Sequence, residues 1–235
     1  AAVRMLQRET AAEDSRPLWL LGPLIHNDTV NQWFRRCGVR IVPEGELETV
    51  FEQASGGDRF VVPAFGVPLP LAQRLRDFVD RQERTSTAPA RQPADGWAEA
   101  VKTGGGRGGC IVDTTCRYVS RIWAFAGEQA AQGRTIVVHG KPGHPETEAT
   151  LSRSVGPDNE AILVPDCTAA ERLAAAIGAG DLSAYPPDRV VGASAPDLHR
   201  LASVNQTTML YSETRDIEAI LRAATESAGG DLAVL

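Results

Sequence analysis

Short apolar runs alternate with longer amphipathic stretches along almost the whole chain. Leu18-Trp19-Leu20-Leu21-Gly22 is apolar on both faces and reads as a buried strand, as do Gly38–Val42 and Phe60-Val61-Val62-Pro63. Between and around them, Ala1–Glu13 carries Val3, Met5 and Leu6 among charges. Asp28–Arg36 has Asn27 or Asp28 as its candidate cap, and Leu69–Gln82 begins after Pro68; all three read as helices. The layout then repeats. Strands are expected at Cys110–Asp113, Thr135–Val138, Ala161–Val164 and Leu201–Val204, with a last one starting at Leu232. Helices are expected at Cys116–Ala131, Pro145–Ser152, Thr168–Ile177 and Ser212–Glu226.

Strands that alternate with helices build mostly parallel sheets with helices on both faces. The fold class is therefore α/β, as two similar units over 1–82 and 110–235. Residues 83–109 between them are rich in Thr, Pro, Ala, Arg and Gly and read as a linker or insertion, with Trp97 as its one anchor. The run Gly104-Gly105-Gly106 lacks the Lys-Ser/Thr of a phosphate loop and precedes a strand rather than a helix, so it reads as linker too.

Composition narrows the function classes. The chain has 235 residues and a net charge of -6, which argues against nucleic acid or an anionic membrane surface as partner. No apolar run approaches the roughly 20 residues that span a bilayer, and no signal-peptide pattern opens the sequence. Four scattered cysteines, Cys37, Cys110, Cys116 and Cys167, form no C-x-x-C pair and suggest reduced thiols of a cytoplasmic protein.

In parallel sheets, ligands bind beyond the carboxyl ends of strands. His26, Phe65, Cys116, His144 and Asn205-Gln206-Thr207-Thr208 each follow a predicted strand, which points to one shared cleft at the strand carboxyl ends. Each also has a plainer reading. His26 and Asn27 suit an anion at a helix start, or simply cap it. Cys116 follows Asp113-Thr114-Thr115 at a strand-to-helix turn, where a thiol makes a nucleophile or metal ligand, or only fills space. Gly143-His144-Pro145-Glu146 offers an anion-binding imidazole and a proton-handling carboxylate, or an ordinary helix start with Pro in its first position. Asn205–Thr208 can orient a substrate alcohol and relay a proton, or cap the last helix.

Taken together and in order, these segments resemble the 4-hydroxy-3-methylbut-2-enyl diphosphate reductases, the LytB-type iron–sulfur enzymes. Leu21–Asn27 is similar to the family's first His-Asn segment, and Ala64-Phe65-Gly66-Val67 to its Ala-His-Gly-Val. Asp113–Cys116 is similar to Asp-Ala-Thr-Cys, Gly143–Glu146 to Gly-His-Pro-Glu, and Asn205–Thr208 to Thr-Gln-Thr-Thr.

The resemblance implies a [4Fe–4S] cluster with Cys116 as a metal ligand, Glu146 as proton donor and Thr207 in the hydroxyl relay. It implies that His26 and His144 contact a diphosphate, with Asn27 and Thr208 as further substrate-binding residues. It also implies an electron donor such as a ferredoxin or flavodoxin. Phe65 stands where the family has His, and Pro68 where it has Ser. The family's other two cluster cysteines would fall just before Ala1 and just after Leu235, and its third α/β domain has no counterpart here.

Two functions follow. One is reductive dehydroxylation of an allylic diphosphate, giving isopentenyl and dimethylallyl diphosphate. The other is a cluster-free relative acting as a binding or partner subunit, with a partner chain closing the cleft. A metal-free variant, with Cys116 as nucleophile beside His144, needs the two within hydrogen-bond reach.

Overall fold

The computed structural model describes residues 1–12, 14–55, 57–85, 110–156, 159–192 and 196–235, with backbone alone at 82–85. Trp97, the Gly104–Gly106 run and most of the expected linker lie outside the described residues. The chain divides into two units, Ala1–Cys116 and Arg117–Leu235.

The first unit is built on a parallel sheet of order β2-β1-β3-β4, with β1 Leu18–Leu21, β2 Arg40–Val42, β3 Arg59–Val62 and β4 Cys110–Asp113. The sheet is covered on both faces, which is why its central strands read as continuous apolar runs. Leu18, Leu20 and Val61 pack against Leu6 of α1 (Ala2–Ala11) and Phe34 of α2 (Asp28–Arg36). Trp19, Leu21, Phe60 and Val62 pack against Leu71, Leu75 and Val79 of α4 (Leu69–Thr85). A 3-10 turn (Glu44–Thr49) runs into the short α3 (Val50–Gln53), which adds Val50 to that second face. Sequence alone gives no element there, because so short a helix shows scarcely one period of its pattern.

Cys110–Asp113 was expected to open the second unit. It pairs instead with β3, in the register Phe60↔Ile111 and Val61↔Val112, so the boundary falls after Cys116 rather than at residue 110. The two stretches of chain are far apart in sequence, and only the sheet shows that they belong together.

The second unit carries a sheet of order β7-β6-β5-β8-β9, formed by β5 Thr135–His139, β6 Ala161–Val164, β7 Val190–Val191, β8 Arg200–Asn205 and β9 Asp231–Val234. All pairings are parallel except that of the two-residue edge strand β7, which is antiparallel and has no sequence signal of its own. Ile136 and Val138 face α5 (Arg117–Ala131) and α6 (Pro145–Ser154). Val137 faces the other way, toward Leu173 of α7 (Cys167–Ala179) and Ile217 and Leu221 of α8 (Tyr211–Ser227).

Each sheet has a point where successive connections depart to opposite sides. In the first, the chain leaves β1 for β2 and returns to β3. In the second, it leaves β5 for β6 and returns to β8. The strand carboxyl ends that diverge there leave a crevice, the usual ligand position in such sheets.

Candidate functional site

In the first unit, the loops after β1, β3 and β4 are tied together at the carboxyl edge. Buried Asn31 of α2 holds the first loop: its Oδ1 accepts from Leu24 N at 3.0 Å and its Nδ2 donates to Ile25 O at 2.9 Å. Ala64 N donates to Leu24 O at 3.1 Å, and Cys116 N donates to Ala64 O at 2.9 Å. The result places His26 and Phe65 at the β1/β3 switch point, stacked with ring centroids 4.2 Å apart and planes 29° from parallel. Asn27 Oδ1 accepts from Val30 N at 3.1 Å, so its side chain caps α2.

The turn bearing Cys116 is equally constrained. Asp113 Oδ1 accepts from Thr115 N at 2.8 Å, and Thr114 Oγ1 donates to Val62 O at 2.6 Å. The Thr115 hydroxyl oxygen is buried without a hydrogen-bond partner among the described residues. Cys116 itself is half-buried.

The second unit brings its predicted residues together more tightly. His144 Nδ1 accepts from Glu146 N at 3.1 Å, which makes His144 the N-cap of α6, with Pro145 in the first turn. Glu146 is 1% exposed, and both of its carboxylate oxygens are taken by one residue. Thr207 N donates to Glu146 Oε1 at 2.5 Å, and Thr207 Oγ1 donates to Oε2 at 2.8 Å. Thr207 is exposed, so its hydroxyl stands between solvent and a buried carboxylate. A hydroxyl donates one hydrogen bond and accepts two. Thr207 Oγ1 therefore still has acceptor capacity while it donates to Glu146.

Gln206 braces this pair from below. Its Oε1 accepts from Lys141 N at 3.0 Å and Thr147 Oγ1 at 3.1 Å, and its Nε2 donates to Thr208 Oγ1 at 2.6 Å. Gly140 allows α6 to come this close, since a Cβ there would meet Thr147 Oγ1 at 2.5 Å. Asn205–Thr208 does not cap the last helix, because α8 starts only at Tyr211, with Leu210 at its N-cap.

Sequence reading missed His139, the last residue of β5. It is 0% exposed, its Nδ1 lies 3.0 Å from Thr214 Oγ1, and its Nε2 lies 3.9 Å from Glu213 Oε2. Burial pulls its pKa below the ordinary imidazole value, against the attraction of Glu213 and Asp166. The one available signal was an ionisable residue continuing an apolar run.

The thiols do not converge on a metal. Cys110 begins β4 at its amino end, where Arg16, Arg59 and Glu9 are its charged neighbours, whereas Cys116 follows the carboxyl end of that strand. Cys37 is exposed after α2, and Cys167 opens α7 in the other unit. Among the described residues, no three of His, Cys, Asp and Glu gather to hold a metal ion. A three-thiolate cluster site would have Cys116 and no second described thiol, so the donor set does not fit the group by itself. Cys116 and His144 also fall in different units.

Comparison with known proteins bears on this arrangement. The family model described as LytB protein matches residues 71–231. The chain belongs to the LytB family. It is 31% identical over 223 residues to the 4-hydroxy-3-methylbut-2-enyl diphosphate reductase of Parasynechococcus marenigrum (strain WH8102), an alignment that covers 92% of this chain and 47% of that protein. The enzyme of the same name from Gloeobacter violaceus is 32% identical over 219 residues, covering 86% of this chain and 43% of the relative. The chain thus spans about half the length of the curated LytB-family relatives it matches.

Two solved structures share the fold. The E-1-hydroxy-2-methyl-but-2-enyl-4-diphosphate reductase of Plasmodium falciparum matches with a TM-score of 0.63 at 12% identity, over 100% of this chain and 54% of that one. An (E)-4-hydroxy-3-methyl-but-2-enyl diphosphate reductase matches with a TM-score of 0.62 at 18% identity, over 100% of this chain and 61% of that one. Among the described residues, no helix is long and apolar enough to cross a membrane.

Proposed function

We propose that this LytB-family chain carries the substrate-side and proton-handling part of a reductase of isoprenoid synthesis. Its substrate would be an allylic diphosphate, 4-hydroxy-3-methylbut-2-enyl diphosphate, converted to isopentenyl and dimethylallyl diphosphate. The single observation that supports this best is the buried Glu146 carboxylate held at both oxygens by Thr207. Loss of an allylic hydroxyl as water takes two electrons and two protons. The electrons would come from a low-potential donor such as a ferredoxin or flavodoxin.

Of the two protons, the chain's own residues supply the one that leaves with the oxygen, and the one that ends on carbon comes from solvent. Glu146, screened from solvent, takes up a proton on Oε2, and the Thr207 bond then reverses: Oε2–H donates to Thr207 Oγ1, whose own hydrogen goes to the departing oxygen, which leaves as water. Thr208, kept in place by Gln206, orients the alcohol. His26 in the first unit and His144 in the second each precede a helix whose first backbone N–H groups suit phosphate oxygens. Asn27 fixes the start of α2 through Oδ1, which leaves its Nδ2 to donate to a phosphate oxygen. Cys116 would be one cluster ligand, and the remaining thiolates would not be Cys37, Cys110 or Cys167, the chain's other cysteines. No step is assigned to the cluster, because the described donors do not form its site.

The second reading is a cluster-free relative that binds a ligand or a partner subunit. The dispersed thiols and the Phe65 ring on His26 favour it. The deciding experiment is iron and sulfide analysis of protein purified without oxygen, followed by turnover of 4-hydroxy-3-methylbut-2-enyl diphosphate with a chemical reductant. About four irons per chain, and product that disappears in Glu146→Gln, support the reductase. Well-folded, iron-free protein that forms no product overturns it in favour of the partner-subunit reading.

A further inference from the structure

We propose that His139 is a positioning residue that clamps both ends of the loop carrying Thr207. The inference rests on the reading of Glu146 and Thr207 as a working pair. The loop leaves β8 at Asn205 and enters α8 at Tyr211. At its strand end, Asn205 sits opposite His139 in the β5–β8 register, and Gln206 N donates to the His139 carbonyl at 2.8 Å. At its helix end, the His139 ring meets Thr214 Oγ1, in the first turn of α8, at 3.0 Å. One residue therefore holds the strand end with its backbone and the helix end with its side chain.

The helix end needs such a hold. Leu210 at the N-cap of α8 makes no side-chain capping bond. The ring is also an expensive way to fill the place. It is 0% exposed and its Nε2 has no hydrogen-bond partner among the described residues. A leucine of similar volume would fill the space without leaving a buried polar atom unpaired. What the imidazole adds is the bond to Thr214. The Thr207 contacts are steep in distance and angle, so a displacement of the loop by about 1 Å would break both bonds to Glu146.

The charged groups facing the ring are Glu213, on the first turn of α8, and Asp166, the N-cap of α7. Cys167 stands beside the same two carboxylates. Protonation of the ring gives Nε2 a charge that attracts Glu213. The clamp is thereby exposed to pH, and the pH profile becomes a readout that a purely space-filling residue would not move.

The test is amide NMR of the whole isotope-labelled chain, following the Thr207 N–H, whose short bond to Glu146 gives it a distinctive shift. Thr214→Val keeps the volume and leaves His139 in place but removes the hydroxyl, and Thr214→Ser restores it. His139→Asn retains a nitrogen near the Nδ1 position, and His139→Leu does not. We expect Thr207 exchange to rise about fivefold or more in Thr214→Val and His139→Leu, and to return toward the parent in Thr214→Ser and His139→Asn. We also expect the Thr207 shift to titrate together with the His139 ring protons in the parent, but not in Thr214→Val. A Thr207 amide unchanged in folded Thr214→Val would overturn the clamp. If the amide responds while Glu146→Gln and Thr207→Val leave turnover intact, the clamp stands and the relay reading fails instead.

Discussion

Glu146 and Thr207 show how much a single contact can decide. Thr207→Val removes the hydroxyl but keeps the N–H, so Glu146 loses one of the two bonds it receives from Thr207 and the path to solvent. Turnover should fall by about 100-fold or more, with unfolding stability lower by only about 1 kcal/mol, as read from steady-state kinetics beside a urea titration. Phe65 gives a prediction in the other direction. Phe65→His would set a second imidazole against His26, and pyrophosphate should bind about fivefold tighter by calorimetry just below neutral pH. Unchanged affinity would remove that ring pair from the anion site.

His139 also gives a pH dependence with a definite sign. Its folded pKa lies below the ordinary 6.5, so between the two values the unfolded chain binds the proton more readily. Stability is therefore full above about 6.5 and falls as pH drops below it. The lowered carboxylates Asp181 and Asp231 act only below 3.8, outside this window. The urea midpoint should decline between about pH 7 and pH 5.5, more in the parent than in His139→Leu.

At the scale of elements, the site depends on how closely α6 approaches the end of β5. Gly140→Ala would force its methyl against Thr147, moving the helix that carries Glu146 and straining the Thr147–Gln206 bond. A loss of about 1–3 kcal/mol is expected, visible as a lower melting temperature, with turnover reduced at temperatures where the protein remains folded. Most elements were legible in the sequence, because their apolar runs and amphipathic periods are local. β1, β3, β5 and β6 are apolar on both faces, and α4, α5 and α8 keep a helical period. The exceptions are local. Val190–Val191 and Val50–Gln53 are too short to show a period, and the polar run at 205–208, for which capping of the last helix was one of two readings, is a loop whose side chains turn to Glu146 and to each other.

Over the whole molecule, each unit has apolar clusters on both faces of its own sheet. The second, Arg117–Leu235, should therefore fold when expressed alone, with dispersed amide resonances and a cooperative urea transition. A collapsed spectrum would show that it draws its stability from the rest of the chain. The sequence by itself determined the α/β class, the near-complete run of elements and the family, and it marked His26, Cys116, His144, Glu146 and Thr207 as candidates. These rest on local periodicity and short motifs, which survive without knowledge of distant partners. Only the tertiary structure decided that Cys110–Asp113 belongs to the first sheet, that Glu146 is bound at both oxygens by Thr207, that Cys110 and Cys116 lie at opposite ends of one strand and that His139 is bonded to both ends of the loop. Each of these depends on which strand lies beside which, and strand pairing between distant segments is set by packing of the whole core rather than by any pattern within one segment.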